Sequence, residues 1–87
     1  MNIIASIDSF VVDIYYKFPS ELKNDYIKIC EQIGTFFNEN FSMNIDIIRQ
    51  CNELLEYLFR ILQSNDYIKM ADALLYTVKP ILVDTDD

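Results

Sequence analysis

Apolar residues recur along almost the whole chain at steps of three and four, which is the period of an amphipathic α-helix. In the first segment this apolar stripe comprises Ile3, Ile7, Phe10, Ile14 and Phe18. No segment shows the sustained two-residue alternation that a half-buried β-strand would carry. The pattern therefore predicts an all-α fold.

Three breaks divide the pattern into four helices, and each break carries turn or helix-start chemistry. Pro19 suits the first turn of a new helix, whereas "NENFS" and "QSND" supply loop and capping residues. Pro80 should end or kink the last helix, because its ring displaces the carbonyl of Tyr76. The predicted helices are residues 3–18, 19–38, 44–63 and 66–79. Short connections predict an up-down four-helix bundle, and 87 residues predict a single domain, 1–87.

The pentapeptide "NDYIK" occurs twice, at residues 24–28 and 65–69. An offset of 41 residues also aligns apolar with apolar positions on both sides of it. Three readings stay open: a duplicated αα-hairpin, convergence on the same helix-start chemistry, and a duplicated functional site. Repeats usually record architecture, so Asp25 and Asp66 are predicted to start helices, and Tyr26 and Tyr67 to make equivalent packing contacts.

The charge of the chain argues against a nucleic-acid or membrane partner. Its 7 basic and 14 acidic residues give a net charge of -7 and a pI near 4.3, whereas nucleic-acid binding relies on clustered Lys and Arg. No apolar run approaches the roughly 20 residues that span a bilayer. The N-terminal sequence lacks the basic region of a signal peptide. These features predict a cytoplasmic, bacterial-type protein.

The residue types of an active site are scarce. Histidine is absent and no CxxC spacing occurs, so we predict no catalytic residues, no metal site and no cofactor. A phosphate-binding loop would need several glycines, and the chain has one. Cys30 and Cys51 occupy apolar helical positions and are predicted to be buried and reduced. We therefore expect a protein that is not an enzyme.

The second copy of the pentapeptide begins the stretch "NDYIKMADALLYTVKPIL". This stretch resembles a C-terminal motif of a family of small, uncharacterised helical proteins from Gram-positive bacteria. The matching positions are Asp66, Tyr67, Ala71, Asp72, Leu74, Tyr76 and Pro80. Leu75 and Thr77 depart from it, since the motif favours polar or acidic residues there. The resemblance implies a helical fold and carries no known activity.

The same stretch supplies the candidate binding residues. Tyr67, Met70 or Ala71, Leu74, Val78 and Ile81 are predicted to face inward. A structural reading makes Asp66 a helix-start residue and Pro80 a helix stop. A functional reading makes an exposed polar and aromatic edge beside "ILV" a partner-binding surface. Its predicted residues are Asp66, Tyr67, Asp72, Tyr76, Pro80 and Ile81.

Abundant apolar residues and narrow polar stripes predict a protein–protein interaction module. We expect an adaptor or chaperone-like bundle whose partner is another protein or a second copy, as in a homodimer, with the third helix as the main apolar surface. The alternative is a small acidic inhibitor, from a phage or mobile element, that occupies a basic nucleic-acid-binding site. Basic residues interleave the acidic ones along the sequence, which favours the adaptor.

Overall fold

The computed structural model describes residues 3–86, with side chains through residue 84, and the described residues contain helices and no strand. The helices are α1 (Ile3–Asp13), α2 (Pro19–Phe41), α3 (Ile45–Ser64), α4 (Tyr67–Ala73), a π-helical segment (Leu74–Val78) and α5 (Lys79–Asp86). The last three follow one another without interruption and form one rod, the fourth helix of the bundle. The all-α class and the four-helix bundle are confirmed.

The four helices close into a ring around one core. α2 packs against α1 and α3, and the fourth helix packs against α1 and α3 on the other side. The Tyr26 hydroxyl donates a hydrogen bond of 2.7 Å to the backbone carbonyl of Leu58, which joins α2 to α3. The same side chain joins α2 to α1, since the ring centroids of Tyr26 and Phe10 are 5.8 Å apart. The short connections make neighbouring helices run in opposite directions, as predicted.

The core follows the predicted stripes closely, and both thiols belong to it. Its largest fully buried side chains are Tyr26, Phe10, Ile7, Ile33, Leu58, Met70, Leu74, Val78 and Cys30. Cys30 and Cys51 are buried, as predicted, and no disulfide joins them in the structure. Burial raises the pKa of the Cys30 thiol from 9.0 to about 12 and also raises the pKa of Cys51.

The end of the first helix differs from the prediction. α1 ends at Asp13 instead of residue 18, and turns follow it. Pro19 disfavours the helical conformation in the residue before it, so Phe18 is extended with φ -71° and ψ 153° and the helix cannot include residue 18. Phe18 is consequently 74% exposed, and its prediction as a core residue is wrong.

The second helix runs further than predicted, to Phe41 instead of residue 38. Two contacts support the extra turn. The ring centroid of Phe41 lies 5.8 Å from that of Phe37 and 6.3 Å from that of Phe36, and the Asn40 side-chain amide donates a 2.8 Å hydrogen bond to the Phe36 carbonyl. Aromatic packing thus outweighs the weak helix preference of the asparagines.

Pro80 does not end the fourth helix, and it is the second residue of α5, directly after the π-helical segment. The π-helical segment precedes it, where the Lys79 N–H donates to the Leu74 carbonyl five residues back. This wider turn gives the Pro80 ring space that a regular α-helical turn would deny it. The helix therefore continues to Asp86 with its phase shifted, so Leu82 is buried and Ile81, predicted to face inward, is 39% exposed.

The two copies of "NDYIK" occupy different places in their helices. Asp66 is the N-cap of α4 and accepts a 3.0 Å hydrogen bond from the Lys69 backbone amide, as predicted. Asp25 lies inside α2, because that helix already begins at Pro19, so its prediction as a helix-start residue is wrong. Tyr26 is fully buried and Tyr67 only partly buried. Their packing contacts are not equivalent.

Candidate interaction site

The surface of the bundle can be divided into two halves by a plane across the helix axes, so that each half contains one end of the bundle. We take Asp8 and Lys79 as the boundary on the first and fourth helices, because the Lys79 ammonium donates a 2.9 Å hydrogen bond to the Asp8 carboxylate. Tyr26 contacts Phe10 and Leu58, so residue 28 of α2 is level with residue 8 of α1 and residue 56 of α3. We call residues 8–28 and 56–79 the aromatic half. The other described side chains, 3–7, 29–55 and 80–84, form the acidic half.

Charge is distributed unequally between the halves. The aromatic half has seven acidic and six basic residues, a net charge of -1. The described side chains of the acidic half include five acidic residues, Glu31, Glu39, Asp46, Glu53 and Asp84, but only one basic residue, Arg49, for a net charge of -4. Acidic and basic residues are therefore mixed in the aromatic half, as the sequence suggested, but not in the acidic half.

Exposed aromatic rings are also segregated. Among the described residues, the large exposed hydrophobic side chains include six aromatics, and all six belong to the aromatic half. They are Tyr15, Tyr16, Phe18, Tyr57, Phe59 and Tyr76. The corresponding side chains of the acidic half are aliphatic or methionine, namely Met43, Ile45, Ile81 and Val83. The aromatic half is therefore the better candidate for binding another protein.

The densest exposure lies in residues 12–18, which we call the aromatic segment. Val12 is 56% exposed, Tyr15 74%, Tyr16 82% and Phe18 74%. These side chains are brought together because α1 stops at Asp13 and the chain must reach Pro19 across a short turn. Monomeric proteins rarely leave so many large apolar side chains in water without a use for them.

Lys17 anchors the aromatic segment to α2. Its ammonium lies 3.2 Å from the Asp13 carboxylate and 2.9 Å from that of Asp25. The hydrogen bonds to Asp25 and Asp13 raise the pKa of Lys17 above 10.5. The lysine of the segment is thus turned towards α2, while the three aromatic side chains stay exposed.

A groove of about 320 Å³ between α1 and α2 adjoins the aromatic segment. Its apolar lining includes Phe10 and Ile29, and its polar lining includes Gln32. Asp13 and Lys17 line the groove as well, and Tyr15 and Tyr16 lie between these two residues in the sequence. The Gln32 Oε1 atom is buried and has no hydrogen-bond partner. The groove is therefore lined mainly by charged and polar side chains, because Phe10 and Ile29 are almost completely buried beneath it.

The candidate residues predicted on the fourth helix are in mixed environments. Asp66 uses its carboxylate to cap α4, and Tyr67 is half-buried against the core. Asp72, Tyr76, Pro80 and Ile81 are exposed, and the Tyr76 side chain is 72% exposed. The six predicted residues therefore do not form one surface: Asp66 caps a helix, Tyr67 packs against the core, and the other four are exposed. Their role in binding a partner stays a prediction.

The aromatic segment was missed by the sequence reasoning, which extended the first helix to Phe18. One signal was available, since a residue before proline avoids the helical conformation, and "YYKFP" ends in such a pair. The third helix, predicted as the main apolar surface, exposes Ile45, Tyr57 and Phe59. These three are spread over 15 residues, whereas the aromatic segment is compact.

Comparisons with protein families, curated proteins and solved structures found no match to this chain. Within the part of the chain that the structure describes, no group of three or more Cys, Asp or Glu side chains is arranged to hold a metal ion. None of the helices in residues 3–86 is long and apolar enough to cross a membrane.

Proposed function

We propose that this chain is a non-enzymatic protein–protein interaction module, an adaptor or chaperone-like bundle that binds through its aromatic half. The observation that carries the proposal is the aromatic segment, with its three aromatic side chains between 74% and 82% exposed. Tyrosine and phenylalanine supply much of the binding energy in protein interfaces, because they bury large areas at a low cost in side-chain entropy. The partner is another protein or a second copy of the chain.

The surroundings of the aromatic segment support binding as well. The near-neutral aromatic half offers both signs of charge around the exposed rings, which lets a partner surround an apolar centre with a polar rim. The fold does not depend on those rings, since they lie outside the buried core. The cytoplasmic location and the resemblance to a Gram-positive family belong to the same proposal, and the two free, buried cysteines are in keeping with a reducing compartment.

The test compares binding by three forms of the chain. Tagged wild-type chain, Tyr15→Ser/Tyr16→Ser and Met43→Ser are expressed in cells of the source organism, and captured proteins are identified by mass spectrometry. Met43 is the matched control, because it is 95% exposed in the acidic half. We expect a protein that binds wild type and Met43→Ser but not the double variant, and that rebinds when purified. Identical captured proteins for all three forms would refute the proposal.

A second candidate function follows from the acidic half. Its described side chains carry five acidic residues and one basic residue, an arrangement suited to a basic nucleic-acid-binding site on another protein. This is the small acidic inhibitor from a phage or mobile element that the sequence left as the alternative. Under it, Glu39→Lys/Asp46→Lys would abolish binding and Tyr15→Ser/Tyr16→Ser would not. The first proposed function predicts the opposite pattern.

A further inference from the structure

The fourth helix carries a stripe of exposed side chains along one side. Ile68, Asp72, Tyr76 and Pro80 follow one another at intervals of four residues, and all four are exposed. Residues four apart lie on one side of a helix, and their common exposure agrees with that placement. Ile68 is 55% exposed and Tyr76 is 72% exposed. We call these residues, together with the exposed Lys69 beside Ile68, the outer stripe.

Two charges of the outer stripe are not used by the fold. Among the described residues, neither Lys69 nor Asp72 takes part in an ion pair. The two residues are three apart and are therefore neighbours on the same side of the helix. Along the chain the base comes before the acid. An antiparallel copy of the helix presents the acid before the base, so each charge can face its opposite.

We infer that the outer stripe joins two copies of the chain about a two-fold axis, with the fourth helices antiparallel and the axis close to Lys69 and Asp72. The inference rests on the proposed function, because most of the stripe lies in the aromatic half, and it names a second copy as the partner. Each Lys69 ammonium then lies opposite the Asp72 carboxylate of the other copy. Each Ile68 lies within about one helical turn of the other Tyr76, so apolar side chains flank the two ion pairs.

The side of α1 that faces the fourth helix adds apolar surface to the outer stripe. The Lys79 ammonium donates a 2.9 Å hydrogen bond to the Asp8 carboxylate, so Asp8 lies on that side of α1. Val12 follows Asp8 by one turn of α1 and is 56% exposed. It is also the first residue of the aromatic segment. The interface therefore continues from the outer stripe towards the aromatic segment.

The charges of the two halves favour the antiparallel arrangement. The aromatic half has a net charge of -1, whereas the described side chains of the acidic half total -4. Antiparallel fourth helices that meet near Asp72 direct the two acidic halves away from each other, and charges more than roughly 10 Å apart are largely screened at moderate salt. Parallel helices would place the acidic halves side by side and bring the two Lys69 side chains together.

The exposed area is sufficient for a weak dimer. A tyrosine side chain has about 200 Å² of surface, so Tyr76 presents roughly 150 Å². Ile68, Val12 and the polar residues of the stripe bring the contact to roughly 500 Å² on each copy, or about 1,000 Å² in total, the lower limit for a specific interface. We therefore expect a dissociation constant in the upper micromolar range.

Exchange of the two charges tests the inference by sedimentation equilibrium of the purified chain. Wild type should change from monomer to dimer as its concentration rises from low micromolar to low millimolar. Lys69→Asp and Asp72→Lys should each weaken dimerisation about tenfold, because each turns two attractions into repulsions. The double variant Lys69→Asp/Asp72→Lys restores opposite charges and should dimerise within about threefold of wild type.

Controls separate the interface from net charge and from folding. Arg49→Asp makes the same change in net charge as Lys69→Asp at an exposed position of the acidic half, and should dimerise like wild type. Tyr76→Ser removes apolar contact and should weaken dimerisation about tenfold. Circular dichroism follows the helical content of every variant. Lys69→Gln and Asp72→Asn, which remove one charge each, replace any charge reversal that unfolds the chain and should also weaken dimerisation.

The unfavourable outcomes are distinct. A wild-type chain that stays monomeric throughout overturns the dimer, and the capture experiment then decides the proposed function separately, with a different protein as the partner. A double charge exchange that dimerises as weakly as the single reversals overturns the pairing of Lys69 with Asp72. An equal loss in Arg49→Asp and Lys69→Asp assigns the effect to net charge and overturns the outer stripe as the interface. Association that grows beyond two copies overturns the two-fold arrangement.

Discussion

The aromatic and acidic halves share one bundle and one core but have very different surfaces. Phe10 and Tyr26 are fully buried in the aromatic half, and Ile33 is equally buried in the acidic half. Packing therefore requires no difference between the halves. Exposed aromatics and balanced charge lie in one half, while unbalanced acidic charge lies in the other. Because the fold does not require this segregation, we attribute it to what the surfaces bind.

The largest effect is expected when a buried ring is removed from the aromatic half. Tyr26→Ala should lower the free energy of unfolding by about 3 to 5 kcal/mol, because it leaves a cavity and removes the hydrogen bond to the Leu58 carbonyl. Tyr16→Ala should lower it by no more than about 0.5 kcal/mol, since that ring is 82% exposed. Urea unfolding followed by circular dichroism measures both values.

A similar loss of stability in the two variants would break the comparison, because the exposed rings would then hold the fold. A ring of intermediate burial gives a further test of the relation between burial and stability. Tyr67 packs at the margin of the core, so Tyr67→Ala should cost about 1 to 2 kcal/mol, between the other two.

Alkaline pH tests whether the two halves share one cooperative core. The pKa of Cys30 is raised from 9.0 to about 12 by burial, and burial also raises the pKa of Tyr26. Below about pH 9 neither the folded nor the unfolded thiol is ionised, so the thiol contributes no pH dependence. Above it the unfolded thiol loses its proton first, and stability should fall by up to about 1.4 kcal/mol per pH unit. Tyr26 adds to this fall only above its unfolded pKa of 10.0.

Urea titrations at pH 8, 9, 10 and 11 measure that fall. Cys30→Ala removes one of the titrating groups and should therefore make the fall above pH 9 less steep, while Cys51 and, above about pH 10, Tyr26 still contribute. The same slope in this variant and in wild type would contradict the assignment to Cys30. Unfolding in two steps, one for each half, would break the picture of a single core.

A smaller effect distinguishes the two copies of the pentapeptide. Asp66→Ala removes the N-cap of α4 and should cost about 1 kcal/mol. Asp25→Ala removes one of two carboxylates around Lys17 on the surface, and should cost less than about 0.5 kcal/mol. Thermal melts of the two variants compare them directly. Equal losses would contradict the difference in their positions.

The smallest effect concerns the two ends of α2, one in each half. Glu39 lies in the last turn, which has no basic residue, so Glu39→Lys should raise stability by about 0.3 to 1 kcal/mol through the helix dipole. Glu21 lies in the first turn, where its charge is favourable, and Glu21→Lys should lower stability by a similar amount. Both changes should shrink at high salt. Effects of the same sign would contradict this account.

The sequence predicted the helices and most of the core, because both depend on a local period. Asn44 and Asp66 were recognisable as helix starts for the same reason, and both cap their helices. The predicted ends of the first and second helices were wrong, because they depend on interactions with particular neighbouring residues. Pro19 shortened the first helix, and contacts of Phe41 with two other rings lengthened the second.

The candidate site was less predictable than the core. Phe18 lies outside a helix because Pro19 imposes an extended conformation on its neighbour, and this contradicts the helical period that placed Phe18 on an apolar stripe. The π-helical turn before Pro80 shifted the helical phase, so Leu82 replaced Ile81 in the core. Segregation of charge between the halves needs the helix directions and levels, which no local pattern contains.

The most direct test of the aromatic half as the binding surface is nuclear magnetic resonance of the labelled chain over a range of concentrations. Amide resonances of residues 12–18 and of Ile68 and Tyr76 should shift or broaden as the concentration rises. Those of Met43 and Ile45, exposed in the acidic half, should stay unchanged. Shifts centred on Met43 and Ile45 would contradict the aromatic half as the binding surface, and an identical spectrum at every concentration would contradict a second copy as the partner.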